Sequence, residues 1–217
     1  IFIKGKQELK SNNINVPSDL SSSAFFIIAA LINRGSKINL NNININPSRD
    51  GILKALKKMG AKISIENKRT VSGEVVADLE VEYSDLVGCE LDAEMAKFMI
   101  DEYPILSIAA AFAKGTSIFK GLKELKVKES DRLELIRLNL VNCGCDCEVI
   151  NDDLIIRPSE NYFPINNKIR TDFDHRIAMS FAVMGSRINN LIIEDAESIN
   201  TSFPNFIEKF NYAGGHI

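Results

Sequence analysis

Two charged clusters, each delivered to the start of an apolar helix, are the part of this sequence best equipped for chemistry. Leu125-Lys126-Val127-Lys128-Glu129-Ser130-Asp131-Arg132 leads into one such helix, and Asp174-His175-Arg176-Ile177-Ala178-Met179 leads into another. Lysine and arginine side chains clamp carboxylate and phosphate, and a carboxylate held among them can move protons. Helix-start decoration accounts for acids such as Glu129 and Asp131, which the macrodipole favours. It leaves Lys128, Arg132 and Arg176 unexplained, because a cation gains nothing at a helix N-terminus. These residue types point to a site for an anionic substrate.

The rest of the composition narrows the choices. The chain has 217 residues, 45% of them apolar, enough for one large or two small domains around a substantial core. A net charge of -3 gives no general pull toward nucleic acid or an anionic membrane, so anion binding must come from a local pocket. Of the cysteines, Cys89 stands apart, while Cys143, Cys145 and Cys147 alternate with strand-like spacing rather than forming a C-x-x-C pair. They are expected to be small buried thiols of a reducing cytoplasm. No signal-peptide pattern is visible, and no apolar run reaches the roughly 20 residues of a membrane span. The chain opens on a strand-like Ile1-Phe2-Ile3 without an initiator Met, which reads as a piece cut from a longer protein.

Three segments that could position the clusters share one plan: apolar helix, Gly, strand, second helix, Gly, strand. The first has Ala24-Phe25-Phe26-Ile27-Ile28-Ala29-Ala30-Leu31-Ile32 stopped at Gly35, a strand over 37–40, a helix over 51–59 and a strand from Gly60 to residue 65. The second has a helix over 105–112 stopped at Gly115, a strand over 117–119, a helix over 132–140 and a strand over 144–149. The third has a helix over 177–184 stopped at Gly185, a strand over 191–193, a helix over 202–212 and then Gly214-Gly215-His216-Ile217. Glycine just past a helix is the expected left-handed stop.

The leading helix of each segment is apolar on nearly every side, the mark of a buried helix. The strands alternate, as in Lys62-Ile63-Ser64-Ile65-Glu66, so that one face meets water. The expected fold is an α/β (α+β) domain of inside-out, pseudo-three-fold repeats, with helices buried and sheets outside. The third unit stops after its second glycine, so its closing strands are expected from elsewhere in a parent chain. Without a long linker or low-complexity stretch, residues 1–217 read as one compact domain.

Five stretches also carry a resemblance. Val16-Pro17-Ser18-Asp19-Leu20-Ser21-Ser22-Ser23-Ala24-Phe25-Phe26 resembles the V-P-G-D-x-S-S-A-A-F-F stretch of the 5-enolpyruvylshikimate-3-phosphate synthase family. Asp101-Glu102-Tyr103-Pro104-Ile105-Leu106 resembles its D-E-x-P-x-L segment, and Glu124 to Arg132 its E-L-R-V-K-E-[ST]-D-R run. Asp174 to Met179 is similar to D-H-R-I-A-M, and Ser202-Phe203-Pro204 to a late S-F-P. Asn46-Pro47-Ser48-Arg49 is close to an N-P-T-R stretch of the glyphosate-tolerant bacterial branch.

The resemblance implies the C-terminal domain of a two-domain, cytoplasmic, monomeric bacterial enzyme whose N-terminal domain is absent here. That family moves the enolpyruvyl group of phosphoenolpyruvate to the 5-hydroxyl of shikimate 3-phosphate, in the route to chorismate and the aromatic amino acids, and needs no metal or organic cofactor. By position, Asp101 is implied to contact the target hydroxyl as a candidate base, Glu129 to shuttle the C3 proton and Lys128 to reach both substrates. Arg132 and Arg176 are implied to bind phosphoenolpyruvate, their planar forks suiting carboxylate and phosphate. Glu124, where some members carry Asn, is implied to contact shikimate 3-phosphate, and His175 to sit beside the Arg176 arginine.

Each assignment has a plainer alternative. Asp101 reads equally as a helix N-cap before Pro104, and Lys128-Glu129 as a solvated charge run. His175 reads as a group that orders its neighbours, and Asp19 as the cap of the first buried helix. Ser18 replaces the family's usual Gly, and Thr201 stands where many members have Lys, so no ligand role attaches to Thr201. Two other readings compete. One is a relative acting on UDP-N-acetylglucosamine, whose catalytic cysteine would lie in the absent half and against which the Lys-Glu-Ser-Asp-Arg and Asp-His-Arg runs argue. The other is a non-catalytic, anion-binding repeat domain.

Overall fold

The structure is a computed structural model and describes every residue except 1, 9, 160, 161 and 163. Asp19 starts the first buried helix, α1 (Leu20–Ile32). Its Oδ2 accepts the Ser22 N–H at 2.8 Å and the Ser22 hydroxyl at 2.9 Å, satisfying donors that a helix start otherwise leaves unpaired. Gly35, at φ 78°, turns the chain past the end of this helix into β1 (Lys37–Asn44). Then follow α2 (Gly51–Lys58), β2 (Lys62–Val71) and β3 (Glu74–Glu82). Ser72 and Gly73 both have positive φ, the backbone a two-residue hairpin requires, and so β2 folds back on β3. β3 takes the middle of this antiparallel sheet, in the order β1-β3-β2.

The second repeat contains β4 (Glu90–Leu91), α3 (Ala96–Met99), α4 (Tyr103–Ala111), β5 (Ser117–Phe119), α5 (Arg132–Asn142), β6 (Asp146–Ile150) and β7 (Asp153–Arg157). Its sheet runs β4-β5-β7-β6, with β4 parallel to β5 and the other pairs antiparallel. The third contains β8 (Lys168–Ile169), α6 (His175–Gly185), β9 (Ile192–Ile193) and α7 (Phe206–Tyr212), with β8 and β9 parallel. A parallel pairing thus flanks each buried helix: Ser18 with Ile43 of β1, β4 with β5, and β8 with β9. The segment that enters each buried helix is tied to the strand that follows it, which fixes where the helix begins.

α1, α4 and α6 pack on one another at the centre. All nine residues of α4 and 11 of the 13 in α1 are buried, as expected of helices apolar on every side. Phe25 and Phe26 of α1 meet Phe206 of α7 edge to face at 5.8 and 5.9 Å between ring centres. Such pairs add about 0.5–1.5 kcal/mol each beyond their buried area, and they dock α7 on the core. Among the described residues no helix is long and apolar enough to cross a membrane.

Several expectations need correction. The helix expected over 202–212 begins only at Phe206, after a 3-10 turn Ala196–Thr201. Pro204, with no N–H to donate and a fixed φ, interrupts the approach. β1 continues past Leu40 to Asn44 through a bulge. Cys143, Cys145 and Cys147 are buried free thiols and Cys89 is half-buried, but only Cys147 lies within a strand, since Cys143 caps α5. Burial pushes the Cys143 thiol up to about 12 and Cys145 to about 11. The strand-like opening fails at Phe2 and Ile3, which are exposed and irregular, and Ile1 lies outside the described residues. β3, β4, β7 and β8 lie outside the strands that the sequence pattern predicts.

Candidate active site

The starts of the three buried helices supply one cluster. Ser21 comes from the first turn of α1, Asp101 and Glu102 from the 3-10 turn Ile100–Glu102 that runs into α4, and Asp174 to Arg176 from the start of α6. Segments ahead of the second helices add Arg49, just before α2, and Lys128 to Arg132, leading into α5.

Arg132 is the hub. Its side chain is 1% exposed, and each of its three nitrogens meets a different carboxylate. Nε donates to Asp174 at 2.8 Å, Nη1 to Asp101 at 3.0 Å and Nη2 to Glu129 at 2.6 Å. Asp174 is fully buried and also accepts from the Ser130 hydroxyl at 2.9 Å and the Arg176 N–H at 2.9 Å. It caps α6 and anchors Arg132 at once, so the arginine is registered to that helix. Charges buried this deeply persist only when paired and hydrogen-bonded on every side.

A second chain of contacts leads away from Arg132. Lys128 Nζ stands 3.5 Å from the Asp101 carboxylate. Arg176 Nη1 donates to the Asp101 carbonyl at 3.1 Å and lies 3.7 Å from Glu102 Oε1. Glu102 Oε1 accepts the Ser21 hydroxyl, whose oxygen in turn accepts Arg49 Nη2 at 3.2 Å.

This pairing sets the protonation states. Burial works against ionisation of Asp101, but Arg176, Lys128 and Arg132 outweigh it and hold its pKa below the ordinary carboxylate value. Asp174 is likewise held low, with burial overcome by Arg132, Ser130 and the Arg176 N–H. Glu102 goes the other way, raised by burial that Ser21 and Arg176 only partly oppose. Burial lowers His175, assisted by Arg176 and Arg132 against Asp174, so its neutral form dominates at neutral pH.

Asp101, Lys128, Glu129, Arg132 and Arg176 therefore converge. The capping alternative for Asp101 fails, because Glu102 holds the N-cap position of α4 and the Asp101 carboxylate faces Arg132. Lys128 and Glu129 each make an ion pair with the cluster, Lys128 to Asp101 and Glu129 to Arg132, with the Glu129 side chain still 53% exposed. Asp19 serves as the α1 cap, whereas Glu124 is exposed in the 3-10 turn Lys123–Val127, outside the network. His175 opens α6 half-buried beside Asp174, and Thr201 closes its own turn on the Ser198 carbonyl at 2.7 Å. Ser21, Arg49, Glu102 and Asp174 join the cluster although none was singled out as a site residue. For Asp174 the available signal is an acid opening the Asp174 to Met179 helix start, although its pairing with Arg132 is tertiary as well. For the other three the contact is purely tertiary.

Buried helices ringed by sheets, with the helix starts gathered on a charged cluster, define an enolpyruvyl-transferase-type domain. The fold is similar to that of the enolpyruvyl transferase NikO from Streptomyces tendae, with a TM-score of 0.61 at 15% identity over 93% of this chain and 44% of that one. EPSP synthase from Acinetobacter baumannii is far more similar, with a TM-score of 0.90 at 41% identity over 96% of this chain and 48% of the other. The family model for EPSP synthase (3-phosphoshikimate 1-carboxyvinyltransferase) matches residues 1–210, and the chain belongs to that family. Proteins called 3-phosphoshikimate 1-carboxyvinyltransferase from Paramagnetospirillum magneticum and Rhizobium johnstonii are 46% and 44% identical over 100% of this chain and 49% of their own length. The chain spans about half the length of the curated relatives it matches.

Proposed function

We propose that this chain is the C-terminal half of a cytoplasmic, monomeric bacterial enzyme that transfers the enolpyruvyl group of phosphoenolpyruvate to the 5-hydroxyl of shikimate 3-phosphate. The observation that carries the reading is the convergence of Asp101, Glu129 and Asp174 on one buried guanidinium, with Lys128 and Arg176 alongside. In the addition step the 5-hydroxyl oxygen bonds to C2 of phosphoenolpyruvate and loses its proton, while C3 gains one. In the elimination step C3 gives up a proton and the C2–O bond to phosphate breaks, releasing inorganic phosphate. Two proton-handling groups and a cationic cradle are the minimum equipment.

The environments support the roles that the family motifs imply. Asp101, kept ionised by three cations, accepts a hydrogen bond from the target hydroxyl and is a weak base until substrate anions offset those cations. Glu129 is the more exposed acid, its side chain 53% exposed and tethered through Arg132 Nη2. A phosphoenolpyruvate carboxylate taking Nη2 displaces Glu129 and frees it to carry the C3 proton. Arg176 and Lys128 hold the remaining negative charge, and Lys128 assists the departing phosphate. Glu124, from its place in the family motif, contributes to shikimate 3-phosphate. No metal or organic cofactor enters these steps.

The test is Arg132→Ala in the complete enzyme. Turnover should be lost while each of the other cluster residues is intact. Turnover at the unchanged rate would refute the reading, and a wild-type protein that binds phosphoenolpyruvate without ever releasing phosphate would be a binding domain.

A further inference from the structure

Glu102 has no part in the steps above, yet its position is costly for a carboxylate. The side chain is 6% exposed, and a charge taken out of water needs partners to stay ionised. Its Oε1 has two, from different repeats: the Ser21 hydroxyl of the first and, at 3.7 Å, Nη1 of Arg176 in the third. Glu102 itself belongs to the second. One carboxylate oxygen therefore joins all three units at the cluster.

The atoms engaged on Arg176 are informative. Both of its anchors, Glu102 Oε1 and the Asp101 carbonyl, act on Nη1. Among the described residues no hydrogen bond occupies Nε or Nη2. Those two nitrogens form the edge of a guanidinium that grips a carboxylate or phosphate with two parallel bonds. An arginine held at Nη1 alone keeps that edge open and fixed in direction. The Asp101 carbonyl by itself is a single contact, about which the planar group can swing.

We propose that Glu102 is a positioning residue that holds Nη1 of Arg176 against the Asp101 carbonyl, so that the Nε–Nη2 edge is presented to the anionic substrate. The proposal rests on the reading that Arg176 binds phosphoenolpyruvate. It assigns Glu102 no contact with substrate and no proton transfer. The Ser21 hydroxyl, itself braced by Arg49, keeps the carboxylate from turning away.

The test uses the complete enzyme with Glu102→Gln, Glu102→Ala and, as a reference, Arg176→Lys. Glutamine keeps the size and an acceptor for Ser21 but loses the charge that attracts Arg176. With Glu102→Gln, Tm should stay near wild type, KM for phosphoenolpyruvate should rise about tenfold, and kcat and KM for shikimate 3-phosphate should change little. Glu102→Ala should raise the same KM at least as far and lower Tm as well. If Arg176→Lys weakens phosphoenolpyruvate but Glu102→Gln leaves its KM unchanged or lower, the positioning role is overturned and the reading of Arg176 survives. If Arg176→Lys leaves that KM unchanged, the reading of Arg176 fails and the proposal fails with it.

Discussion

Arg132 and Asp174 share a 2.8 Å hydrogen bond across 42 residues of sequence, with side-chain exposures of 1% and 0%. Removing either partner strands a charge where water does not reach. Asp174→Ala should therefore destabilise the protein by about 3–5 kcal/mol, the usual cost of breaking a buried pair from one side. Urea unfolding at neutral pH measures it, and a loss below about 1 kcal/mol would mean that solvent reaches the pair after all.

The same pair predicts acid lability. Asp174 and Asp101 are both held below the ordinary carboxylate pKa. A depressed folded-state value stabilises above the unfolded value, near 3.9, and that stability is lost as pH falls through the folded value. Asp174→Asn should start lower at neutral pH and fall less steeply on the acid side. Parallel acid limbs for the two proteins would contradict the assignment.

Glu129→Gln in the complete enzyme should lower kcat by on the order of 10²–10⁴. The amide keeps size and hydrogen bonding but cannot carry the C3 proton. KM for phosphoenolpyruvate should not rise, because a neutral group competes less well for Arg132 Nη2. An unchanged kcat would remove Glu129 from the mechanism.

Arg176→Lys should not be mild. Lysine keeps the charge and loses the two-pronged edge, so phosphoenolpyruvate should bind substantially more weakly while shikimate 3-phosphate suffers less. Calorimetry at fixed salt makes the comparison. Equal weakening of both ligands would assign Arg176 to the fold.

What was legible in the sequence follows from which forces are local. The helices α1, α4 and α6 announced themselves because a run such as Ile27-Ile28-Ala29-Ala30-Leu31 is apolar on every side and stops near a glycine. Lys128, Arg132 and Arg176 stand out because cations at helix starts make no local sense, whereas Glu129 is marked only by the motif it shares with them. β3 was missed although it is the central strand, since its pairing with both β1 and β2 follows from tertiary assembly and not from its own composition. The helix expected over 202–212 starts later than its pattern suggests because Pro204 cannot donate an N–H and fixes φ, so α7 begins at Phe206. Glu102 belongs to the same D-E-x-P-x-L stretch as Asp101, but its role is not legible there, because only the packing of α1 brings Ser21 to it.

His175 should titrate below the ordinary histidine value near 6.5, since burial disfavours its charged form. The stability this neutral form contributes is present above the unfolded value and is lost as pH falls below it. NMR of the two histidines, assigned with a His216 variant, reads the midpoint directly. A midpoint above 6.5 for His175 would show that Asp174 and Glu129 dominate its surroundings.

The proposed function has residues 1–217 carry half of an active site, with the chemistry needing the other half. It is tested most directly by phosphate release from this chain alone and from the chain completed with the N-terminal half of a close relative. The chain alone should be folded and inactive, because half the contacts cannot hold the reacting atoms in line. The completed protein should release phosphate only when phosphoenolpyruvate and shikimate 3-phosphate are both present, and Arg132→Ala should abolish it. Steady release by residues 1–217 alone, or release by the completed protein that survives Arg132→Ala, would contradict the account.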